Sequence, residues 1–315
     1  MTDKKVLPIL SMLFTVIVWG LSFLSIKVVI DIIPPVTLGF LRFAIASVLL
    51  LFVVKLKGAS TKLDSKDIPF VILSGFTGIT LYFIFENNGV KELPASTASL
   101  IIATIPIVTL ITDTIVLKTK LTRLKLISVL ISFIGVYFIV GSDLKDLMSG
   151  GSITGYLYML GAVLTWVIYA LVTKPVSGKY SQMVLVYYQS VFGALLFVPF
   201  MIYEVIFIET PKWYQVTGSV ALNILYLGIF CSAVGYITYV YGLKHLGVSI
   251  SSIYLNAIPL VTVVASVFIL NEEITLYKAV GGLLVIISVT MANWKKKTNK
   301  DTINISKENN KVLEN

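Results

Sequence analysis

The chain has 315 residues, 57% hydrophobic and 13% charged, and a mean hydropathy of +0.93, values that exclude an ordinary soluble domain. Its formal charge of +9 would point to nucleic acid in a soluble chain, but in a polytopic membrane protein it raises the question of which loops hold the lysines. A single cysteine, Cys231, and a single histidine, His245, exclude an internal disulfide and a His/Cys metal cluster, so no metal and no other cofactor is expected.

Taken in order, the apolar runs predict ten membrane-spanning helices and an all-α integral membrane fold. The first five are Val6 to Val29, Pro35 to Val54, Ile68 to Asn88, Ala95 to Leu117 and Leu121 to Gly141. The second five are Gly155 to Val172, Gln182 to Tyr203, Gly218 to Gly242, Gly247 to Leu270 and Ile274 to Trp294. The first run follows Lys4 and Lys5 but is too long for a signal-peptide core and lacks a small-residue cleavage site, so it reads as a retained helix. The polar tail, residues 295–315, has no periodicity and is expected to be disordered.

Basic residues then orient the spans. Lys4 and Lys5, Lys55 to Lys66, Lys118 to Lys125, Lys174 and Lys179, Lys244, and Lys295 to Lys297 fall on one side. The other side holds Lys91, Lys145, Lys212 and Lys278, one per loop or loop edge and with acids beside several of them. Both termini are therefore expected in the cytoplasm.

The fourth span carries Ser96, Ser99, Ala103, Pro106, Thr109 and Asp113, which at about 100° per residue share one small, polar face. The same face recurs at a constant offset in the ninth span as Ser249, Ser252, Asn256, Pro259, Thr262 and Ser266. Gly89, Lys91 and Leu93 precede the first copy as Gly242, Lys244 and Leu246 precede the second. This is an internal repeat. Five crossings return the chain to the opposite side, so two five-helix repeats, residues 6–141 and 155–294, must be inverted. Weaker echoes pair Trp19 and Lys27 with Trp166 and Lys174, and Arg42 with Gln189. Each proline, Pro106 and Pro259, deprives a carbonyl of its helical partner, and paired interrupted helices point to a site between the halves.

These features resemble the EamA-type transporters of the drug/metabolite transporter superfamily: Trp19-Gly20 in the first span, Arg42 in the second, the two proline-bearing spans, and Leu270-Asn271-Glu272 before Gly281-Gly282. The resemblance implies ten helices in two inverted repeats, an inner-membrane location, and export or facilitated movement of amino acids and related metabolites. The family's acid after the ninth span is Glu272 here, whereas the repeat-equivalent position holds Thr119, so a role requiring both acids is not expected.

Ionisable groups within a span are functional candidates by default. Arg42 reads either as a substrate-carboxylate site or as half of an ion pair with Glu86 that orders the fold. Glu86 and Asp113 are candidates for ion coupling through a carboxyl group of raised pKa. Trp19, Tyr82, Trp166, Tyr236 and Tyr239 offer aromatic walls, and Ser99 and Asn256 polar contacts, for a small amphipathic substrate. Tyr137, Tyr203, Trp213 and Trp294 read as interfacial belts.

The expected function is a secondary transporter, an exporter of neutral or aromatic amino acids or related small metabolites, working by alternating access. No Walker A loop occurs in the sequence, so gradients of substrate or protons supply the energy. A carrier of lipid-linked or nucleotide-sugar substrates is the alternative. A membrane-embedded lipid-modifying enzyme is disfavoured, because Glu86, Asp113 and Glu272 are scattered and no catalytic residue can be named. The expected partners are a small-molecule substrate and the lipid bilayer, without nucleic acid; a monomer is compatible with the pattern.

Overall fold

The computed structural model describes residues 6–56, 58, 62–116, 122–141, 153–246, 251 and 254–292. The tail, the side chain of Asp113, and Ser249, Ser252, Thr119 and Trp294 of the sequence reading lie outside the described residues. Among the described residues the fold is all-helical. Its helices are α1 Val6–Ile30, α2 Pro35–Leu56, α3 Ile68–Gly75, α4 Tyr82–Glu92, α5 Ala95–Ile102, α6 Ile105–Val116, α7 Arg123–Gly141, α8 Thr154–Thr173, α9 Gln182–Phe207, α10 Gly218–Leu225, α11 Gly235–Leu246, α12 Ile258–Leu270 and α13 Leu276–Ala292. Two π-helical segments, Phe76–Leu81 and Tyr226–Val234, join α3 to α4 and α10 to α11.

Seven of the resulting rods are long and apolar enough to cross a membrane: Val6–Ile30, Pro35–Leu56, Ile68–Glu92, Ala95–Val116, Thr154–Thr173, Gln182–Phe207 and Gly218–Leu246. Away from their ends and breaks, their backbone groups bond within the helix, as hydrocarbon surroundings require. Large apolar side chains stand exposed, among them Phe52 and Phe133, as a lipid-facing surface demands and an aqueous one would not tolerate at this density. Tyr137, Tyr203 and Trp213 are also exposed.

Small residues set the closest approaches. A Cβ on Gly20 would lie 2.6 Å from Val261, so α1 and α12 cross there, and Thr262 donates its hydroxyl to the Gly20 carbonyl at 2.8 Å. In α7 and α13 a Cβ on Gly135 would meet the Gly281 carbonyl at 2.8 Å, and one on Gly281 the Gly135 carbonyl at 2.6 Å. Such close backbone contact is how helices associate where lipid gives no hydrophobic drive.

At the end of the bundle that carries the α1–α2 turn, carboxylates cap the helices. Glu204 of α9 accepts from the Val36 and Thr37 amides at 2.9 and 2.8 Å and from the Thr37 hydroxyl. Glu209 pairs with Lys91 at 2.7 Å and with Lys212 at 3.7 Å. At the opposite end Lys179 and Tyr180 clasp Asp67 at 2.9 and 2.8 Å; Lys179 first, and Tyr180 second, hold the Asp67 carboxyl below its ordinary range.

Candidate functional site

The site begins with two broken helices. Between α5 and α6 the chain turns at Ala103 and Thr104, and before α12 it turns at Asn256 and Ala257. Each break immediately precedes a helix with proline in its first turn, Pro106 in α6 and Pro259 in α12, where a missing amide proton costs nothing. Pro106 therefore starts a new helix after α5 rather than bending a continuous one, and Pro259 sits in the first turn of α12. Ile102, Ala103 and Pro106 from the first break and Leu255, Asn256 and Pro259 from the second line a single cavity of about 180 Å3.

The aromatic wall comes from α1, α4, α8 and α11. Trp19, Tyr82, Phe83, Trp166 and Tyr236 line the cavity. Tyr82 packs on Trp166 with ring centroids 5.0 Å apart, and Trp19 meets Tyr236 edge-on at 5.3 Å. The Trp19 indole donates to the Cys231 carbonyl at 3.0 Å, inside the π-helical stretch, where altered hydrogen bonding leaves carbonyls free for side chains. A Cβ on Gly235 would sit 2.7 Å from the same indole nitrogen, so the glycine makes room for the ring. Tyr239 stands one layer back, against Trp19 at 5.4 Å.

Among the described residues two charged ones line the cavity, Arg42 and Glu86, and both are buried. Arg42 donates from Nε to the Ser232 hydroxyl at 2.9 Å, and its guanidinium lies 4.3 Å above the Phe83 ring. Its Nη1 is buried without a partner, as is Nδ2 of Asn256. Glu86 accepts from the Tyr82 hydroxyl at 2.9 Å. Among the described residues Arg42 and Glu86 do not approach within ion-pair distance; Arg42 is held by Ser232 and Phe83 instead. Lys27 turns away to donate to the Lys91 carbonyl at 3.1 Å.

The small polar face of the sequence reading divides. Ser99, Ala103 and Pro106 reach the cavity, while Ser96 is occupied by Glu272. In the second copy Asn256 and Pro259 reach it, but Thr262 and Ser266 are buried at bonds to the Gly20 and Val263 carbonyls. Sequence reasoning missed Ser22 of α1, Phe83, Cys231 and the π segments, of which one carries Cys231 and the other leads into Phe83. The only signals were Gly75, Gly78, Gly228 and Gly235 within the third and eighth spans.

The family model described as the EamA-like transporter family matches this chain twice, at residues 6–141 and 153–294. An uncharacterized transporter of Archaeoglobus fulgidus is 30% identical, covering 87% of this chain and 94% of that relative. A protein named a probable terminal-alkyne amino-acid exporter, from Streptantibioticus cattleyicolor, is 27% identical over 90% of this chain and 92% of its own length. One crystal structure aligns with a TM-score of 0.63 at 17% identity, covering 90% of this chain and 97% of that one, a likeness of fold alone.

Proposed function

Since the chain belongs to the EamA-like transporter family and is a multi-pass membrane transporter rather than an enzyme, we propose that it exports neutral or aromatic amino acids, or closely related small metabolites, by alternating access. The single observation that carries this reading is the cavity at the two helix breaks, walled by Trp19, Tyr82, Trp166 and Tyr236. Its aromatic sides with few polar groups suit a small amphipathic substrate. The relative named a probable amino-acid exporter supports the substrate class.

In this proposal the bundle has ten spans, the seven long rods together with α7, α12 and α13, arranged as two inverted five-helix repeats. The double match of the family model and the paired breaks before Pro106 and Pro259 support the repeat. Both termini are cytoplasmic and the α1–α2 end is extracellular. That end is laced by the Glu204, Glu209 and Glu272 contacts, so opening outward requires some of them to part. Ser99 and Asn256 orient the substrate, and Glu86 is the candidate for proton coupling.

Counterflow of labelled amino acids into liposomes containing the purified protein tests the function. Uptake of aromatic or neutral members supports it; uptake confined to lipid-linked or nucleotide-sugar substrates overturns it.

A further inference from the structure

We infer that Arg42 and Asn256 form a carboxylate subsite in this cavity and that Glu86 is its opposite pole, so that the cargo is held as a zwitterion. The inference rests on the transport reading for its readout and on the side-chain inventory of the cavity for its chemistry.

Arg42 is 3% exposed, one of its nitrogens is taken by Ser232, and the Phe83 ring covers its face. Yet Nη1 is buried without an acceptor. A buried guanidinium short of a hydrogen bond is strongly unfavourable unless something else completes it. Asn256 presents the same deficit at Nδ2, beside the break that opens the second copy of the repeat. Both residues line the same cavity, so two unsatisfied donors share a small space, and among the described residues no carboxylate is bonded to either. A planar anion answers both, and a carboxylate matches the guanidinium fork.

Charge selects among the anions. Among the described residues Arg42 and Glu86 are the charged ones of the lining, giving a formal balance of zero, with the acid anchored by the Tyr82 hydroxyl. A dianionic phosphate would leave uncompensated negative charge in a low-dielectric cavity beside Glu86. A simple amine would leave Arg42 unanswered. A small zwitterion satisfies both poles, its carboxylate toward Arg42 and Asn256, its ammonium toward Glu86, and its apolar body against Trp19, Trp166 and Tyr236.

The test is competition against counterflow of labelled phenylalanine by unlabelled phenylalanine, by phenethylamine, which lacks the carboxylate, and by 3-phenylpropionate, which lacks the ammonium. In the wild type phenylalanine should compete at least about tenfold better than either half-molecule. In Arg42→Gln and Asn256→Leu its advantage over phenethylamine should shrink severalfold while its advantage over 3-phenylpropionate persists. A merely structural Arg42 would lower all rates together and leave the ratios unchanged, and unchanged ratios in variants that elute as folded protein overturn the subsite. Should Arg42→Gln fail to fold, Arg42→Lys and Asn256→Leu carry the same comparison. If the folded wild type carries no amino acid, the transport reading fails. Calorimetric titration of the purified protein with the three compounds then decides the subsite separately: binding that needs the carboxylate supports it, and binding of none, or of phenethylamine alone, overturns it.

Discussion

Glu272 closes the N-terminus of the helix that begins at Ala95: one carboxylate oxygen accepts from the Ala95 amide at 2.6 Å, the other from the Ser96 amide at 3.1 Å and the Ser96 hydroxyl at 2.5 Å. Asn271 makes this reach possible. It caps α12 in the left-handed conformation, φ 54°, which asparagine tolerates, and so turns Glu272 toward α5. A negative group there answers orphan amides and the helix dipole together. Glu272→Ala should lower the unfolding free energy by about 1–2 kcal/mol, with Glu272→Gln in between, as read by denaturant unfolding of purified protein. Wild-type stability in both would remove the cap from the account.

Glu204 performs the same task for α2, with one difference. It is buried, whereas Glu272 is half-exposed. Removing it strands the Val36 and Thr37 amides out of water, and each unsatisfied buried group costs about 1–3 kcal/mol. Glu204→Ala is therefore expected to destabilise more than Glu272→Ala under identical conditions; the reverse order contradicts the burial argument.

The Asp67 clasp gives a pH prediction. Its carboxyl is held below the ordinary 3.8, by Lys179 first and Tyr180 second, so its contribution is present above the unfolded pKa and lost as pH falls through the folded one. The Lys179 ammonium is held above the ordinary 10.5 by Asp67, so its contribution is present below that value and lost as pH rises through its folded pKa. The stability difference between wild type and Lys179→Met should stay level from about pH 5 to pH 9 and shrink below about pH 4. A difference that grows in acid contradicts the pairing.

α7 and α13 meet backbone to backbone at Gly135 and Gly281, away from the residues that line the cavity. Gly135→Val has no room and should cost about 1–3 kcal/mol, while the fraction that folds keeps the wild-type KM for its substrate. A raised KM at normal stability would place this pair in the transport cycle instead.

Seven of the spans were legible because hydrocarbon allows few alternatives: a run of about twenty apolar residues favours a helix, and its length fixes its ends to within a few residues. Trp19, Arg42 and the two proline-bearing segments were equally readable, since a large aromatic ring, a charge or a proline inside such a run needs a reason. Other features depend on neighbours distant in sequence. The free Nη1 of Arg42 follows from Ser232 and Phe83 occupying its other faces. The turn of Thr262 away from the cavity follows from the close crossing at Gly20. The π segments are shifts in hydrogen-bond register that apolar periodicity does not record. Glu272 read as an acid of uncertain role because its partner, Ser96, lies in the other half of the chain.

The most direct test of the central claim, that the cavity at the paired breaks carries the substrate, is phenylalanine counterflow by wild type and Asn256→Ala in parallel, with both proteins matched for folding by gel filtration. Robust exchange is expected from the wild type and, in the variant, a KM raised by about tenfold or more, as when a buried hydrogen bond to a charged group is lost. Asn256→Ala exchanging phenylalanine with wild-type KM and rate would place the substrate path elsewhere.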